Sequence, residues 1–291
     1  MSSDIAKTLA KLLTEALSEP VVVQGMKSLS GGCINQAVKL TTNRGIFFAK
    51  WSATAPADQF VREAEALQEL AKASTLLQIP RVILVQTDPP LLVTSFLEPA
   101  TGSTAPPDEQ LGRGIAELHR YKHDRYGFHQ NNYCGATPQD NRWNDDWIAF
   151  YGQQRLGHLM KLLEQKRGLS DSERKAYAQL MDRLPQLVGH HPPPALTHGD
   201  LWSGNALYSA SGPALIDPAC AYADRESDLA LMAMFGGFSD RTWAAYQEAY
   251  PLPAGWQQRR PLYQLYHYLN HDYLFSGAYG RQALAIAERY G

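Results

Sequence analysis

Cysteine is scarce in this sequence. The 291 residues include only three, Cys33, Cys134 and Cys220, in unrelated contexts and without a CxxC pair. An odd number of isolated cysteines excludes a framework of paired disulfides and gives no ligand spacing for a zinc site. We therefore expect a hydrophobic core to hold the chain together, and the 44% of hydrophobic residues provide the material for one.

The sequence also has no concentration of positive charge. Its formal net charge is -2, and its 27 lysines and arginines are scattered along the chain. Proteins that bind duplex nucleic acid usually gather positive charge on one face, because neutralising phosphates dominates their affinity. The sequence therefore predicts a mixed, solvated surface and no nucleic-acid partner.

Long apolar runs are missing as well. The longest, Leu229–Phe238, is too short to span a bilayer. The first residues alternate charged and apolar positions, whereas a signal peptide has a continuous apolar core. We expect no membrane association and a cytosolic protein.

The order of the predicted elements divides the chain into two lobes. Periodicity predicts a helix over 4–17 and another over 58–73, with strands at Val21–Val23, Ala37–Thr41, Ile46–Trp51, Val82–Val85 and Leu91–Leu97. A linker rich in proline, threonine and alanine follows at Pro99–Pro107. Helices are then predicted at 108–121, 145–166, 171–188, 225–235, 239–249 and 257–287, interrupted by loops and strands from 195 to 219. This order predicts an α+β, bilobal fold, with a β-rich amino-terminal lobe (1–97) containing one key helix and a mainly helical carboxyl-terminal lobe (98–291).

The segment Leu196–Asn205, which reads LTHGDLWSGN, carries the strongest chemical signal. Asp217 follows twelve residues later, at the end of a short apolar run. Transfer of a phosphoryl group to a hydroxyl requires a carboxylate to accept the proton and hard oxygen ligands to hold Mg²⁺ against the phosphates. The pattern predicts Asp200 as the catalytic base and Asn205 with Asp217 as Mg²⁺ ligands.

The five-residue offset between Asp200 and Asn205 matches the catalytic loop of kinases. Here the loop reads His-Gly-Asp, and Asp217 begins Asp-Pro-Ala, so the pattern favours small-molecule phosphotransferases over protein kinases. We expect His198 and Asp228 to brace this loop. The alternative is a polar turn before a hairpin, since glycine, aspartate and asparagine all favour turns.

The amino-terminal lobe offers a phosphate anchor. Lys50 lies near the end of a predicted strand, and Glu63 shares the inward stripe of the following helix, whereas Glu65 falls on its outer face. A charge on a buried stripe requires a partner, so the sequence predicts an ion pair between Lys50 and Glu63.

Two further features of this lobe suggest how it binds ATP. Gly31 and Gly32 lie just before the lysine strand, where backbone amides can approach phosphates unobstructed, although a plain hairpin turn explains them equally well. The last predicted strand of the lobe leads into the linker. Its position predicts that backbone groups of Ser95 and Leu97 face the adenine.

Together these residues resemble the fructosamine kinase family. The resemblance rests on HGDLWSGN, on the later IDPA and DRESDLA, and on NYCG, PQDN and FGGF, and it extends from about residue 31 to 279. It implies a protein-kinase-like fold and phosphorylation of ketosamines, free or as glycated protein amines, at the sugar 3-hydroxyl, using ATP and Mg²⁺. The product then loses its sugar, which is deglycation. Trp202, inside the loop, becomes a candidate substrate contact, with packing into the helical lobe as the alternative.

Two other functions remain open from the sequence. One is phosphorylation of another small hydroxylated amine, such as an aminoglycoside or a choline-like compound. The other is a catalytically silent nucleotide-binding protein, although such proteins commonly lose one of Lys50, Asp200, Asn205 and Asp217, and this chain keeps all four.

Overall fold

The computed structural model describes residues 2–29, 36–100 and 107–291. The amino-terminal part is an antiparallel five-stranded sheet in the order β1-β2-β3-β5-β4, with a helix on each face. Its elements are α1 (Ser2–Leu17), β1 (Val23–Ser28), β2 (Gln36–Thr42), β3 (Gly45–Trp51), α2 (Gln59–Ala73), β4 (Val82–Thr87) and β5 (Pro90–Ser95). The strand expected at 21–23 is instead β1, which begins at Val23.

Alternation along β3 decides which residues face which helix. Phe47 and Ala49 are buried beneath α1, in a cluster that includes Leu13. Lys50 points to the opposite face, because successive side chains of a strand alternate. Its cross-strand partner Leu92 packs against α2 on that face. The pleat therefore directs the only charged residue of this strand towards α2.

The carboxyl-terminal part is mainly helical, as expected. Its helices are α3 (Asp108–Arg120), α4 (Trp147–Ala149), which continues as a π-helix over Phe150–Gly157 into α5 (His158–Arg167), then α6 (Asp171–Val188), α7 (Glu226–Phe235), α8 (Asp240–Ala249), α9 (Trp256–Phe275) and α10 (Ala278–Tyr290). Three short hairpins or strand pairs complete it: β6 (Asn132–Cys134) with β7 (Thr137–Gln139), β8 (Ala195–Thr197) with β11 (Ala221–Ala223), and β9 (Ala206–Ser209) with β10 (Gly212–Leu215). Within the described ranges no helix is long and apolar enough to cross a membrane.

The prediction of one helix over 257–287 was wrong. The helix is interrupted at Ser276 and Gly277, which both have positive φ angles, 59° and 83°. Apolar periodicity continues on both sides of the break, since α9 and α10 pack against the same core cluster. A periodic pattern alone therefore could not locate the turn.

The two lobes share part of one core. Ala66 and Leu70 of α2 are buried together with Leu201 and Leu215 of the carboxyl-terminal lobe. Gln78 also donates a backbone hydrogen bond to the Pro213 carbonyl at 2.8 Å. The helix that carries Glu63 is thus anchored to the lobe that carries the catalytic loop. The domain boundary at 97/98 remains a prediction.

An ion-pair cluster with two buried carboxylates joins α5, α6 and α9, and it should make stability depend on acidic pH. Arg167 contacts Glu173 at 2.6 Å and Asp272 at 2.8 Å. Burial alone would raise the pKa of Glu173, but hydrogen bonds from Arg167 and Ser170 lower it from 4.5 to about 2. Glu173 thus stabilises the fold above its ordinary pKa, and this contribution is lost as the pH falls towards 2.

We therefore expect Glu173→Gln to lower the free energy of unfolding at pH 7 and to flatten its decline between pH 5 and pH 3. Urea denaturation at several pH values measures both effects. Glu288→Gln, at an exposed position of α10, is the matched control. An unchanged pH profile in Glu173→Gln would show that this cluster does not carry the acid sensitivity.

Candidate active site

The catalytic loop runs between β8 and β9, and its two key side chains hold one another. Asn205 closes a 3₁₀ turn, Ser203–Asn205, and its Nδ2 donates to the Asp200 backbone oxygen at 2.9 Å and to Asp200 Oδ2 at 3.1 Å. The asparagine amide therefore fixes the orientation of the carboxylate. Within the described residues no hydrogen bond is assigned to the amide oxygen of Asn205, which leaves it available to a ligand.

Buried side chains beneath the loop fix its backbone. Asp228 accepts hydrogen bonds from the backbone N–H groups of His198 at 2.7 Å and Gly199 at 2.9 Å, and it also contacts His119. The His198 Nε2 donates to the Ile216 carbonyl at 2.9 Å, which ties the loop to the segment before Asp217. The expected bracing by His198 and Asp228 is confirmed.

Gly199 is required for this packing. Its φ is +80°, and a Cβ at this position would lie 2.1 Å from the Ala219 carbonyl oxygen. Only glycine lets the two loops approach so closely.

The predicted ion pair between Lys50 and Glu63 is present and extends to the other lobe. Lys50 Nζ lies 2.6 Å from Glu63 Oε2 and 2.7 Å from Asp217 Oδ1. The Lys50 side chain is buried, whereas half of the Asp217 side chain is open to the cleft. Asp217 also has a φ of +54°, a strained conformation that concentrates at functional sites.

These surroundings shift the pKa values of the charged groups in a pattern that suits phosphoryl transfer. Burial raises the pKa of Asp200 to about 7, against the effect of the Asn205 hydrogen bond. Burial would also raise the pKa of Asp217, but the Lys50 ammonium holds it below its ordinary value. The carboxylates of Glu63 and Asp217 in turn raise the pKa of Lys50, although burial opposes them. At neutral pH the site therefore contains a proton acceptor near its titration point beside a charged ion pair.

A single cavity of about 480 Å³ brings these groups together with Trp202. The Trp202 side chain is 40% exposed, and its ring lies edge-to-face with Phe235 of α7, so its contact with substrate remains a prediction. Its ring lies across Gly204, where an added Cβ would come within 2.1 Å of the indole. Glycine at 204 thus lets the indole lie along its own loop, at the wall of the cavity.

The remaining predicted ATP contacts are not among the described residues that line this cavity. Gly31, Gly32 and the nearby Cys33 lie outside the described residues. Ser95 ends β5, where its backbone N–H donates to the Arg81 carbonyl at 2.8 Å and so is used within the sheet. Neither Ser95 nor Leu97 lines the cavity that contains Lys50, and their contact with adenine remains a prediction.

A buried amide network behind Asp217 was missed by sequence reasoning. Asn132 donates to the Cys220 carbonyl at 2.8 Å, and Gln139 donates to the Ala219 carbonyl at 3.3 Å and to Asn132 Oδ1 at 2.9 Å. These bonds position the backbone that follows Asp217. In the sequence, Asn132 and Gln139 lie in the motifs NYCG and PQDN. These motifs contribute to the family resemblance, but they did not indicate a role for the two amides.

The comparisons with known proteins are consistent with this geometry. The sequence model of the fructosamine kinase family matches residues 5–290 of this chain. The chain belongs to this family. It is 35% identical over 285 residues to the chloroplastic protein-ribulosamine 3-kinase of Arabidopsis thaliana, covering 96% of this chain and 86% of that protein. Because the family is one of kinases, this chain is a kinase.

Solved structures share the fold over the full length. A Thermobifida fusca crystal structure assigned as a fructosamine-3-kinase has a TM-score of 0.87 at 29% identity, covering 97% of this chain and 98% of that one. An ADP-bound aminoglycoside phosphotransferase has a TM-score of 0.66 at 15% identity, covering 96% and 98%. The second similarity concerns the fold alone, and it confirms the kinase-like architecture of this family member.

Proposed function

We propose that this kinase transfers the γ-phosphate of ATP to the 3-hydroxyl of ketosamines, carried by small amines or by glycated proteins. One observation carries the proposal: Asp200 and Trp202 line the same cavity as the Lys50–Asp217 ion pair. A proton acceptor, an aromatic surface suited to a sugar and a phosphate-side cation thus meet in one cleft. The name of the Arabidopsis relative supports a ribulosamine as substrate.

The roles on the nucleotide side follow from the donor atoms. The free amide oxygen of Asn205 and the carboxylate of Asp217 are hard oxygen ligands, which fit Mg²⁺. Bound there, Mg²⁺ supplies charge neutralisation on the phosphates. Lys50, oriented by Glu63, binds phosphate oxygens. The contacts of Gly31 and Gly32 with the phosphates and of Ser95 and Leu97 with adenine remain predictions from the sequence.

The chemical step requires one general base, at the attacking substrate hydroxyl. Asp200 orients the substrate hydroxyl and takes its proton as the oxygen attacks the γ-phosphorus. A bond forms between the sugar oxygen and phosphorus, and the bond from phosphorus to the bridging oxygen of ADP breaks. Asn205 keeps the Asp200 carboxylate aimed at the hydroxyl throughout, through the hydrogen bond at 3.1 Å. The products are ADP and a ketosamine 3-phosphate, which then loses its sugar.

A panel of substrates tests the proposal. We expect ATP and Mg²⁺ to support turnover of ribuloselysine or fructoselysine, and little turnover of an aminoglycoside or choline. ADP release measures the rates. Turnover of the aminoglycoside or choline alone would move the protein to a neighbouring phosphotransferase activity, and silence on all four would favour a nucleotide-binding protein without catalysis. The cytosolic location stays a prediction.

A further inference from the structure

Five aromatic side chains form an open surface at the mouth of the active-site cavity. We call this surface the aromatic shelf. It is built from four separate segments, the catalytic loop, the end of α7, α9 and the start of α10, which contribute Trp202, Phe235, His271, Phe275 and Tyr279. All five line the cavity that contains Asp200.

The rings of the shelf are close enough to act as one surface. The Phe235 centroid lies 6.5 Å from that of Trp202 and 5.3 Å from that of His271. His271 in turn lies 5.7 Å from Phe275 and 5.0 Å from Tyr279. No pair is a parallel stack, with interplanar angles from 48° to 71°, so the ring planes differ in orientation.

The shelf leaves its largest side chains exposed to solvent. Phe235 is 42% exposed and Phe275 is 52% exposed, beside Trp202 at 40%. Half of the six exposed large hydrophobic side chains in the described part of the chain are therefore gathered at this one cavity mouth. A concentrated, concave aromatic surface of this kind marks a binding site.

His271 contributes a neutral ring with a free acceptor. Its Nδ1 lies 2.8 Å from the His267 carbonyl, and this contact requires the proton on Nδ1. Nε2 then carries a lone pair, and no protein donor in the described residues is assigned to it. Burial lowers the pKa of His271, so the ring is uncharged at neutral pH. The shelf thus presents π faces and one acceptor, without a cation of its own.

The chemistry of a ketosamine places a cation next to its reacting hydroxyl. The amine is bonded to C1 and the phosphorylated oxygen to C3, so only four bonds separate them. A secondary alkylamine is protonated near neutral pH. When the 3-hydroxyl reaches Asp200, the ammonium group must therefore lie within a few ångströms of the catalytic loop, and the shelf lines the same cavity.

We propose that the aromatic shelf binds the amine arm of the ketosamine, with the protonated amine against the ring faces and its alkyl stem leading out to solvent. This inference rests on the proposed function. Aromatic faces attract cations, and the open side of the shelf leaves room for the lysine stem of a peptide or protein. Selectivity for cationic amine arms then resides in Phe235 and Phe275.

A pair of substrates with the same sugar isolates this contact. One is a 1-alkylamino-1-deoxyribulose, and the other is the matching 1-O-alkyl ribulose, in which a neutral ether oxygen replaces the ammonium. The ratio of their kcat/KM values measures recognition of the cation. We expect the unmodified enzyme to favour the amine by about tenfold or more.

Two double variants then separate aromatic character from bulk. Phe235→Leu with Phe275→Leu keeps the apolar volume but removes the π faces, and it should reduce the amine-to-ether ratio by about tenfold. Phe235→Tyr with Phe275→Tyr should retain the ratio. Val85→Ala, at an exposed position of β4 away from the cavity, is the control for general effects.

The outcomes distinguish this inference from the proposed function. An unchanged ratio in the leucine variant, or an equal loss on both substrates, would overturn the role of the shelf while leaving ketosamine phosphorylation intact. If the unmodified enzyme phosphorylates neither the amine nor any other ketosamine, both proposals fail together.

Discussion

Replacing Asp200 by alanine should lower kcat by about 10³-fold or more while leaving ATP binding intact. The residue is placed to accept the proton of the attacking hydroxyl, and burial raises its pKa to about 7, close to neutral pH. The nucleotide-side groups Lys50 and Asp217 do not depend on it for their ion pair. Steady-state rates and calorimetric titration with ATP measure the two effects separately.

Asp200→Asn sharpens the same test. The amide keeps the size of the side chain but cannot take a proton, so it should be as inactive as alanine. Asp182→Ala, at an exposed position of α6, should behave as the unmodified enzyme. Activity of Asp200→Asn within tenfold of the unmodified enzyme would show that positioning of the hydroxyl, rather than proton transfer, limits the reaction.

Replacing Lys50 by methionine should lower kcat/KM by about 10²-fold or more and weaken ATP binding. The Lys50 ammonium lies between two carboxylates, at 2.6 Å from Glu63 of helix α2 and at 2.7 Å from Asp217 of the other lobe. Its loss removes a phosphate-binding group and also leaves the buried Glu63 without a partner. Lys39→Met, on the neighbouring strand β2, removes a lysine that pairs with Glu98 instead and should leave both values unchanged.

A folding defect in Lys50→Met must be separated from a catalytic one. An unpaired buried charge can destabilise a protein by about 3–5 kcal/mol. Combining Lys50→Met with Glu63→Gln removes the stranded charge, so we expect thermal stability to recover while activity stays low. Recovery of activity together with stability would argue that Lys50 has a structural role only.

The sequence predicts those parts of the site that are local in the chain. The catalytic loop places Asp200 and Asn205 five residues apart in one turn, so spacing alone relates them. Lys50 and Glu63 could be paired because strand and helix periodicity each assign one charge to an inward face, and the contact is present at 2.6 Å.

Features that depend on distant segments could not be predicted in this way. The aromatic shelf is assembled from the catalytic loop, α7, α9 and α10, and no local pattern relates Phe235 to Phe275. The core shared by α2 and the carboxyl-terminal lobe is equally non-local, since Leu70 looks like any apolar helix residue. The turn at Ser276 was hidden because apolar periodicity continues through it.

Identifying the product tests the central claim most directly. Ribuloselysine, ATP and Mg²⁺ would be incubated with the enzyme, and the product examined by two-dimensional ³¹P–¹H correlation NMR before it decomposes. We expect the new phosphorus signal to couple to the proton on C3 of the sugar, and Asp200→Ala to give no such signal. Phosphate on another hydroxyl, or ADP release without a phosphorylated sugar, would contradict it.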